Sequence, residues 1–387
     1  MKSAASRFTF LLFLLAAVRC SAADEPDRVQ AAAYYFPNWH RPDSSHTGPN
    51  FGEWSNIPRA KPRFEGHQQP KLPAWGVEDE ADPRVMEKKI TTAADHGLSA
   101  FIFCWYYHAQ GTYLDRALND GYLKAANKNR LPFALMWANH DVSTQPPRVG
   151  AVSREVFDKM TDVIVARYFK EPSYWRVDGS CYFSIYQPMT FIQGMGGTEQ
   201  ARAAIDSFRN KARAAGCGEL HVNLIDYELY KLSNAMKPLR DLGADSVTSY
   251  VWIHEPNAWR ALVFPSADYD AVRDGYFATW DKWWGRTGKH FPNVTMGWDS
   301  TPRIPPNQPH TGKLYPDTGV IVGNTPDRFK TALVEARTRA LTLPAHRRIV
   351  TIYAWNEWTE GGYLEPDKST GMQYLNAVRD VFGGKAK

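Results

Sequence analysis

Eight short apolar runs, separated by segments with helical spacing, constrain the fold of this chain more than any other feature. Each run is rich in β-branched and aromatic residues and is mostly apolar throughout, which is typical of parallel strands buried on both faces. The runs lie at residues 29–36, 98–106, 131–137, 181–186, 221–225, 246–252, 294–298 and 349–355. Such strands must be covered on both faces, and the segments between them are predicted to be helices that supply the outer cover.

Helix-start signals stand between the runs. Asp82-Pro83, Ser153 and Thr325-Pro326 each open a segment with apolar residues at helical spacing. Further helices are predicted at residues 113–129, 198–215, 228–242, 269–284 and 371–382. Eight strand–helix repeats predict an α/β fold, a single (β/α)8 TIM barrel. An open doubly wound sheet is the alternative, but its first strand would normally lead into a phosphate-binding turn, and the sequence YYFPNWH stands there instead.

Two long irregular stretches interrupt this alternation, at about residues 41–80 and 300–323. They follow predicted strands 1 and 7 as long loops, and loops of that length usually carry function. No stretch rich in Gly, Pro or Ser divides the chain between residues 24 and 387. We therefore predict one domain over residues 24–387.

The first 23 residues have the pattern of a secretory signal peptide. Lys2 and Arg7 form a basic start, residues 8–18 are apolar, and small residues follow at 21–23. The apolar stretch is too short for a permanent membrane span, so no membrane anchor is expected after cleavage. A signal peptide at residues 1–23 predicts a secreted or periplasmic protein.

The charge pattern argues against a nucleic-acid partner. The formal net charge of +5 falls to about +2 without the predicted signal peptide. The sequence has no long Lys/Arg run, no Gly-rich phosphate loop between a strand and a helix, and no paired CxxC spacing. His40, His108, His140 and His254 are scattered without the spacing of a metal site. We expect no nucleic acid, no cofactor and no metal.

Three cysteines remain after the predicted signal peptide, namely Cys104, Cys181 and Cys217. An odd number cannot all pair within one molecule, so disulfides are not the scaffold. Cys104 and Cys181 lie inside apolar runs, which favours small buried hydrophobic residues over nucleophiles.

Polar and aromatic residues follow nearly every predicted strand, and in a barrel these positions form the active-site end. Flat rings beside hydrogen-bonding groups suit a sugar, because its C–H faces pack on rings while its hydroxyls need donors and acceptors. Packing in the core is the alternative, and it accounts better for Phe residues than for buried polar ones. The residues at these ends include Tyr34, Tyr35, Trp39, Tyr106, Tyr107, Trp137, Asn139, Tyr186, Asp226, Tyr250, Trp252, Trp298 and Asp299. The pattern predicts a carbohydrate site.

The sharpest chemical feature is the sequence WNEWTEG at residues 355–361. It places Glu357 and Glu360 three residues apart where the eighth strand ends. Paired carboxylates serve glycoside hydrolysis when one is protonated and the other is ionised. Trp355 and Trp358 would supply the dry walls that separate the two pKa values. A helix N-terminus that favours acids is the alternative, and it accounts less well for two acids at a strand end.

Five blocks of sequence resemble glycoside hydrolase family 99 and its larger relatives, the WbsX-like proteins of bacterial surface-polysaccharide clusters. The blocks are FGEWSNI (51–57), FCWYYH (103–108), MWANHD (136–141), GWDSTPR (297–303) and WNEWTEGGYLEPD (355–367). The resemblance implies that residues 24–387 form a TIM-barrel catalytic domain. It also implies endo-acting cleavage of α-mannosides or related polysaccharides, with retention of configuration.

The resemblance further implies roles for the two acids. Glu357 matches the residue that acts as base on the sugar's own 2-hydroxyl and so generates a 1,2-anhydro sugar. Glu360 matches the acid that protonates the leaving oxygen and later activates water as a base. This route needs no covalent glycosyl-enzyme, unlike the usual retaining mechanism.

Substrate contacts are implied by the same resemblance and by the motif itself. They are Tyr35, Glu53, Trp54, Tyr107, Trp137, Asn139, Trp298, Asp299, Trp355, Asn356 and Trp358. The sequence departs from the WbsX-like pattern after WAN, where that pattern has an acid and this chain has His140 before Asp141. The departure leaves the catalytic pair unchanged and bears on sugar specificity.

Three functions are compatible with these residues. The first is a secreted or periplasmic glycoside hydrolase acting on an oligo- or polysaccharide. The second is a WbsX-like glycosyltransferase, against which the export signal and the lack of a DxD-like metal motif argue. The third is a non-catalytic polysaccharide-binding barrel, which would be favoured by an acid locked to an arginine away from any cleft.

Overall fold

The computed structural model describes residues 27–42, 51–140, 150–229, 232, 234 and 236–384. The predicted signal peptide (1–23) and Asp141 lie outside the described residues. Within this part of the chain, no helix combines the length and the hydropathy that crossing a bilayer requires.

Eight parallel strands form the barrel in the described part of the chain, and each overlaps one of the predicted runs. They are β1 (Gln30–Tyr35), β2 (Ala100–His108), β3 (Phe133–Trp137), β4 (Ser180–Ile185), β5 (Leu220–Ile225), β6 (Ser246–Thr248), β7 (Asn293–Thr295) and β8 (Ile349–Tyr353). From β1 to β6 the strands pair in chain order, and β8 pairs with both β1 and β7. The predicted TIM barrel is confirmed.

The barrel closes at a seam between β6 and β7. His290–Phe291 pairs in parallel with β6, whereas β7, immediately after Pro292, pairs with β8. Proline has no N–H to donate to a ladder, so the change of neighbour occurs where the ladder is interrupted anyway. One stretch of chain, residues 290–295, thus contacts both neighbours and leaves the sheet nearly closed.

Nine α-helices surround the barrel within the described residues. They are α1 (Pro83–Asp95), α2 (Arg154–Val163), α3 (Pro188–Met195), α4 (Thr198–Ala214), α5 (Met236–Asp241), α6 (Pro256–Ala261), α7 (Tyr269–Thr279), α8 (Pro326–Leu341) and α9 (Gln373–Phe382). The predicted start signals are confirmed, because the side chains of Asp82, Ser153 and Thr325 each accept a hydrogen bond from the first helical turn.

Two predicted helices differ from the structure. Residues 113–129 form a π-turn at Ala117–Gly121 followed by two 3-10 turns, so the predicted α-helix there is wrong. Gly121 lies against the loop before α1, where a Cβ would stand 2.0 Å from the carbonyl oxygen of Glu80. This close approach overrides the helical pattern. The helix predicted at 228–242 is shortened to α5, and residues 230, 231, 233 and 235 lie outside the described part.

The two long loops follow β1 and β7, as predicted, and they are tied together. The first contains the helical turn Gly52–Ser55 and the second the turn Thr301–Arg303. Arg63 of the first loop donates hydrogen bonds to the carbonyls of Ile304 and Gln308 in the second, at 2.7 and 2.8 Å. The two loops therefore form one rim at the C-terminal end of the barrel.

Polar side chains meet across the barrel interior. The Thr248 and Thr351 hydroxyls are 2.9 Å apart, and Asn293 Nδ2 donates to Thr351 Oγ1 at 3.1 Å. These side chains are fully buried, so their mutual bonds replace those that water would make. Outside the strands, apolar residues of the helices complete the core.

The three described cysteines, Cys104, Cys181 and Cys217, are free thiols and are buried. Burial raises the pKa of the Cys104 thiol, which disfavours the reactive thiolate. The prediction of small buried hydrophobic residues is confirmed.

Candidate active site

Strand alternation decides which aromatic residues at the strand ends point into the barrel. Tyr34 points inward, where its hydroxyl donates to the carbonyl of Ser249 at 3.2 Å. Tyr250 and Tyr353 also point inward, with ring centroids 5.0 Å apart. The Cys104 sulfur lies 3.6 Å from the Tyr250 hydroxyl. These side chains form the floor on which the two acids lie.

The loop after β8 directs both acids to one side. Asn356–Glu357 pairs with Gly362–Tyr363, and Trp358–Glu360 makes a single helical turn between them. Gly361 ends this turn with a φ of 70°, and a Cβ there would stand 2.8 Å from the backbone nitrogen of Asp299. Only glycine combines that conformation with so close an approach. The predicted acid pair is thus held in a tightly fixed turn.

Glu357 is buried, with 3% of its surface exposed. Its Oε1 accepts a hydrogen bond from the Tyr250 hydroxyl at 2.6 Å. Its Oε2 accepts no hydrogen bond from the described residues and lies 3.6 Å from Arg303 Nη2. Burial raises the pKa of Glu357 to about 8, and the Glu360 charge adds to the increase, whereas Arg303 and Tyr250 oppose it. Burial therefore favours the protonated form of Glu357.

Glu360 has three donors around its two oxygens. Arg303 forms an ion pair with Oε1, and the Tyr315 hydroxyl donates to the same oxygen at 2.7 Å. The Tyr353 hydroxyl donates to Oε2. Charge-assisted bonds of this kind are stronger than neutral ones, so these three donors hold the Glu360 carboxylate in place.

Arg303 bridges three carboxylates, those of Glu360, Glu357 and Glu53. Its Nε lies 3.5 Å from Glu53 Oε2, and its guanidinium lies over the ring of Phe36. Burial alone would lower the pKa of Arg303, but the charges of Glu360 and Glu53 outweigh it and raise that pKa further. Arg303 is therefore a permanent cation. We call Glu53, Arg303, Glu357 and Glu360 the mouth cluster.

A second group of charged side chains binds the loop after β8, and we call it the buried cluster. It consists of Lys89 on α1 with Glu80 and Glu365, each 2.5 Å from the lysine nitrogen. Glu80 accepts a hydrogen bond from Asn356 Nδ2 at 3.0 Å, and Glu365 accepts one from Trp358 Nε1 at 2.7 Å. The buried cluster thereby fixes the residues on both sides of the first acid.

Of the predicted substrate contacts, Glu53 belongs to the mouth cluster, and five others lie around it, namely Trp54, Trp298, Asp299, Asn356 and Trp358. The Trp298 ring lies near the rings of Tyr315 and Tyr353, with centroids 6.3 and 6.2 Å away. Asp299 is fully buried and binds His67 and Gln69 of the first loop at 2.9 and 2.6 Å. Trp298 thus borders the site, whereas Asp299 joins the two loops.

The lowered pKa of Asp299 agrees with its role in joining the two loops. Burial alone would raise its pKa, but the hydrogen bond from His67 and the charge of Lys71 lower that pKa well below the usual range. The backbone nitrogen of Asp299 also donates to the carbonyl of Glu360 at 2.6 Å. Asp299 therefore positions the turn that carries the second acid.

Three further residues support the site by packing. Trp54 is buried and donates its indole N–H to the carbonyl of Glu78 at 2.9 Å. Trp358 stacks on Tyr363, with ring centroids 3.8 Å apart. Asn356 binds the backbone N–H and carbonyl of Phe36 at 2.7 and 2.8 Å. Each of these side chains uses its polar group within the protein.

Five other predicted contacts are not brought to the acids, namely Tyr35, Tyr107, Trp137, Asn139 and Trp355. The Tyr35 hydroxyl lies 3.5 Å from the sulfur of Met86 on α1, and Trp137 packs on Phe157 of α2 and Phe191 of α3. Tyr107 stacks on Trp105, and Trp355 packs on Phe101. Asn139 binds the backbone of Gln187 at 2.7 and 2.9 Å and so joins the ends of β3 and β4. Tyr35 and Trp137 face the helices, because they occupy outward positions on β1 and β3, and Tyr107 and Trp355 pack on other aromatic residues.

Sequence reasoning did not assign a site role to four residues that complete the cluster, namely Arg303, Tyr250, Tyr315 and Tyr353. Arg303 lies in the GWDSTPR block, and a cation inside a recognisable motif is the sequence signal that could have indicated its role in the site. Tyr250 was visible as a strand-end aromatic residue. Tyr315 lies in an irregular loop and carries no motif.

The arrangement supports acid–base chemistry. A buried carboxylic acid, an ion-paired carboxylate and aromatic walls stand together at the end of the barrel where active sites form. Across the described ranges, no group of three or more His, Cys, Asp or Glu side chains is placed to hold a metal ion.

The model of a protein family described as glycosyltransferase WbsX matches residues 31–378. The chain belongs to the WbsX family. Uncharacterized protein WxcX of Xanthomonas campestris pv. campestris strain B100 is 31% identical over 392 aligned residues, which cover 94% of this chain. The alignment covers 51% of WxcX, so this WbsX-family chain spans about half the length of the curated relatives it matches.

Solved structures share the fold of this WbsX-family chain. A glycoside hydrolase-like protein superposes with a TM-score of 0.59 at 14% identity, covering 92% of this chain and 94% of its own. The GH99 endo-alpha-mannosidase from Bacteroides thetaiotaomicron gives a TM-score of 0.54 at 15% identity, covering 91% and 96%. At these identities the likeness concerns the fold, and it agrees with the resemblance to family 99 found in the sequence.

Proposed function

We propose that this chain is a glycoside hydrolase that cleaves α-mannoside-like linkages within oligo- or polysaccharides. The observation that carries the proposal is the juxtaposition of Glu357, with its pKa raised to about 8, and Glu360, bound by Arg303, at the C-terminal end of the barrel. Hydrolysis of a glycosidic bond needs one carboxyl group with a proton and one without. The glycoside hydrolase names of the solved neighbours support the same chemistry.

The proposed reaction follows the roles that the family resemblance implies. Glu357 removes the proton of the sugar's 2-hydroxyl, and that oxygen attacks the anomeric carbon while Glu360 gives its proton to the leaving oxygen. The product of this step is a 1,2-anhydro sugar. Water then attacks the anomeric carbon, Glu360 takes the water proton, and Glu357 returns its proton to the 2-oxygen. Two inversions at the anomeric carbon give overall retention.

Burial favours the proton on Glu357, whereas the proposed reaction begins with the proton on Glu360. In the structure, Arg303 and the Tyr315 and Tyr353 hydroxyls bind the Glu360 carboxylate. We propose that a bound sugar displaces Arg303 from Glu360 and that the proton then passes from Glu357 to Glu360.

The roles are tested with Glu357→Gln and Glu360→Gln on an α-mannan and on a nitrophenyl α-mannoside. A nitrophenolate leaves without a proton, so loss of the acid impairs mannan hydrolysis far more than aryl hydrolysis, whereas loss of the base impairs both. We expect Glu360→Gln to show the first pattern and Glu357→Gln the second. The exposed Glu219→Gln is the control. If Glu357→Gln shows the first pattern and Glu360→Gln the second, the roles of the two acids are exchanged. Full mannan hydrolysis by both variants would overturn the proposed function.

Two other functions each have one supporting observation. The family description favours transfer from a nucleotide sugar, which calorimetric titration with nucleotide sugars would detect. The Arg303–Glu360 ion pair favours a binding protein without turnover, although the pair lies at the mouth of the barrel and not away from it. Binding of an α-mannan with no release of reducing sugar would support that function.

We also propose that the signal peptide at residues 1–23 exports the protein. Determining the N-terminus of the secreted protein tests this proposal.

A further inference from the structure

The loop after β7 carries Tyr315, which contacts Glu360, and it exposes apolar side chains around that tyrosine. Leu314 is 79% exposed and Tyr315 53% exposed, and on the neighbouring segment Val263 and Phe264 are 57% and 47% exposed. We call these four residues the loop platform. Single exposed apolar residues are common, but a group of them next to a candidate active site marks a binding surface.

The two halves of the loop platform are packed together. Gly312, two residues before Leu314, lies on the ring of Phe264, so closely that a Cβ there would stand 2.3 Å from it. The N–H of Val320 donates to the carbonyl of Pro265 at 3.0 Å, which joins the segment after α6 to the end of the loop. Residues 263–265 and 312–320 therefore form one surface.

The loop is built to hold this exposed conformation. Asp317 accepts hydrogen bonds from the N–H and the hydroxyl of Thr311 at 2.9 and 2.5 Å, and from the N–H of Gly312 at 3.1 Å. Burial alone would raise the pKa of Asp317, but these bonds outweigh it and lower that pKa to about 2. The carboxylate that organises the loop is thus ionised throughout the physiological range. Preorganisation of this kind lowers the entropic cost of binding.

Tyr315 connects the loop platform to the acid. Its hydroxyl donates to Glu360 at 2.7 Å, while more than half of the residue remains open to solvent. The ring is thereby fixed at one end, and its position next to Glu360 is set. An aromatic ring beside hydrogen-bonding groups is suited to the C–H face of a pyranose.

We propose that the loop platform is the leaving-group subsite, which binds the pyranose rings that lie beyond the cleaved bond. The inference rests on the proposed function, in which Glu360 gives its proton to the leaving oxygen, because the leaving sugar then lies on the Tyr315 side of the acid. The substrate must accordingly extend past the cleaved linkage.

The test measures kcat/KM on manno-oligosaccharides of increasing length and on a nitrophenyl α-mannoside. We expect Leu314→Ser and Phe264→Ser to lower kcat/KM about tenfold on the long substrates and much less on the aryl one. Tyr315→Phe keeps the ring, so it should preserve the length dependence that Tyr315→Ala loses. Val334→Ser is the matched control, because this exposed valine lies on α8 and outside the loop platform.

Equal losses of kcat/KM on long and short substrates, or no loss on either, would overturn the proposal that the loop platform is the leaving-group subsite. If the wild type hydrolyses none of these substrates, the proposed function fails, and calorimetric titration of Glu360→Gln with the same oligosaccharides tests the subsite separately. Weaker binding by Leu314→Ser than by Val334→Ser would then support it, and equal binding would overturn it. A wild-type dimer that Leu314→Ser converts to monomers in sedimentation velocity would assign the surface to a second copy instead.

Discussion

Two groups of charged side chains hold the loop that carries Glu357 and Glu360, and they differ in how far water can reach them. In the buried cluster, Lys89 and its two carboxylates are at most 4% exposed. In the mouth cluster, the Arg303 and Glu53 side chains are 17% and 18% exposed. Charges sealed from water cannot lose a partner without a large cost, whereas charges at a mouth can exchange partners with water or substrate. We infer that the buried cluster maintains the fold and the mouth cluster performs the chemistry.

The largest expected effect comes from removing the cation of the buried cluster. Lys89→Met leaves two carboxylates facing each other without a counter-charge, and burial already raises the pKa of Glu80 to about 7 in spite of the lysine. We expect a loss of about 3–5 kcal/mol in the free energy of unfolding, measured by urea titration. The neighbouring Lys88→Met is the control, since its ion pair with Glu78 is partly exposed and is expected to contribute less than about 1 kcal/mol. Similar losses for both lysines would contradict the distinction between the clusters.

Arg303→Met should have the opposite balance, with a large effect on activity and a smaller one on stability. Arg303 holds Glu360 and lowers the pKa of Glu357, so its loss disturbs both acids. We expect kcat/KM to fall on the order of 10–100-fold, as for loss of one preorganised donor, and the urea midpoint to change less than for Lys89→Met. Arg303→Lys, which keeps the charge, should recover part of the activity. Unfolding as severe as that of Lys89→Met would place Arg303 in the structural group.

Glu357→Gln should stabilise the protein at alkaline pH. In the unfolded chain, Glu357 releases its proton near its ordinary value of 4.5, whereas the folded protein holds the proton until about pH 8. The folded state therefore loses stability as pH rises from about 4.5 to about 8, and glutamine abolishes that loss. We expect the free energy of unfolding of the variant to exceed that of the wild type near pH 9 and to equal it near pH 4. A constant difference across this range would show that Glu357 does not titrate in this way.

Tyr250→Phe is expected to have the smallest effect, a shift in the pH profile. With one proton on the acid pair, kcat/KM should fall as pH rises through about 8, where Glu357 loses its proton. The Tyr250 hydroxyl lowers that pKa, so its removal should move the alkaline limb upward by less than about one pH unit. Tyr34→Phe, whose hydroxyl binds a backbone carbonyl instead, is the control. A downward shift in Tyr250→Phe would contradict the assigned hydrogen bond.

The barrel and the acid pair were predictable from sequence because both depend on local signals. Apolar runs indicate strands, Asp82 and Ser153 cap helices, and WNEWTEG follows the last strand. The inward or outward direction of each side chain was not predictable, because strands buried on both faces show no alternation in their sequence. Tyr34 points into the barrel and its neighbour Tyr35 points to α1, yet the two look alike in the sequence.

Residues of the irregular loops were also beyond prediction, for a different reason. Tyr315 reaches Glu360 because Asp317 folds the loop and Arg63 ties it to the rim. The Tyr315–Glu360 and Arg63–Ile304 contacts join residues that are far apart in the chain, and no local pattern specifies them. The same holds for the predicted helix at 113–129, which gives way to close packing at Gly121.

The seam at Pro292 is the line along which the barrel can widen most easily. Side chains make the contact between β7 and the segment after β6. Trp252 donates its backbone N–H to Thr295 Oγ1 at 2.9 Å and its indole N–H to the carbonyl of Asn293 at 2.9 Å. Such bonds can open singly, whereas a ladder opens cooperatively. Amide protons along this line should exchange with solvent sooner than those of β1 to β4. Tyr250 follows β6 and Glu357 follows β8, so widening of the seam would alter the distance between the Tyr250 hydroxyl and the Glu357 oxygen that accepts its hydrogen bond.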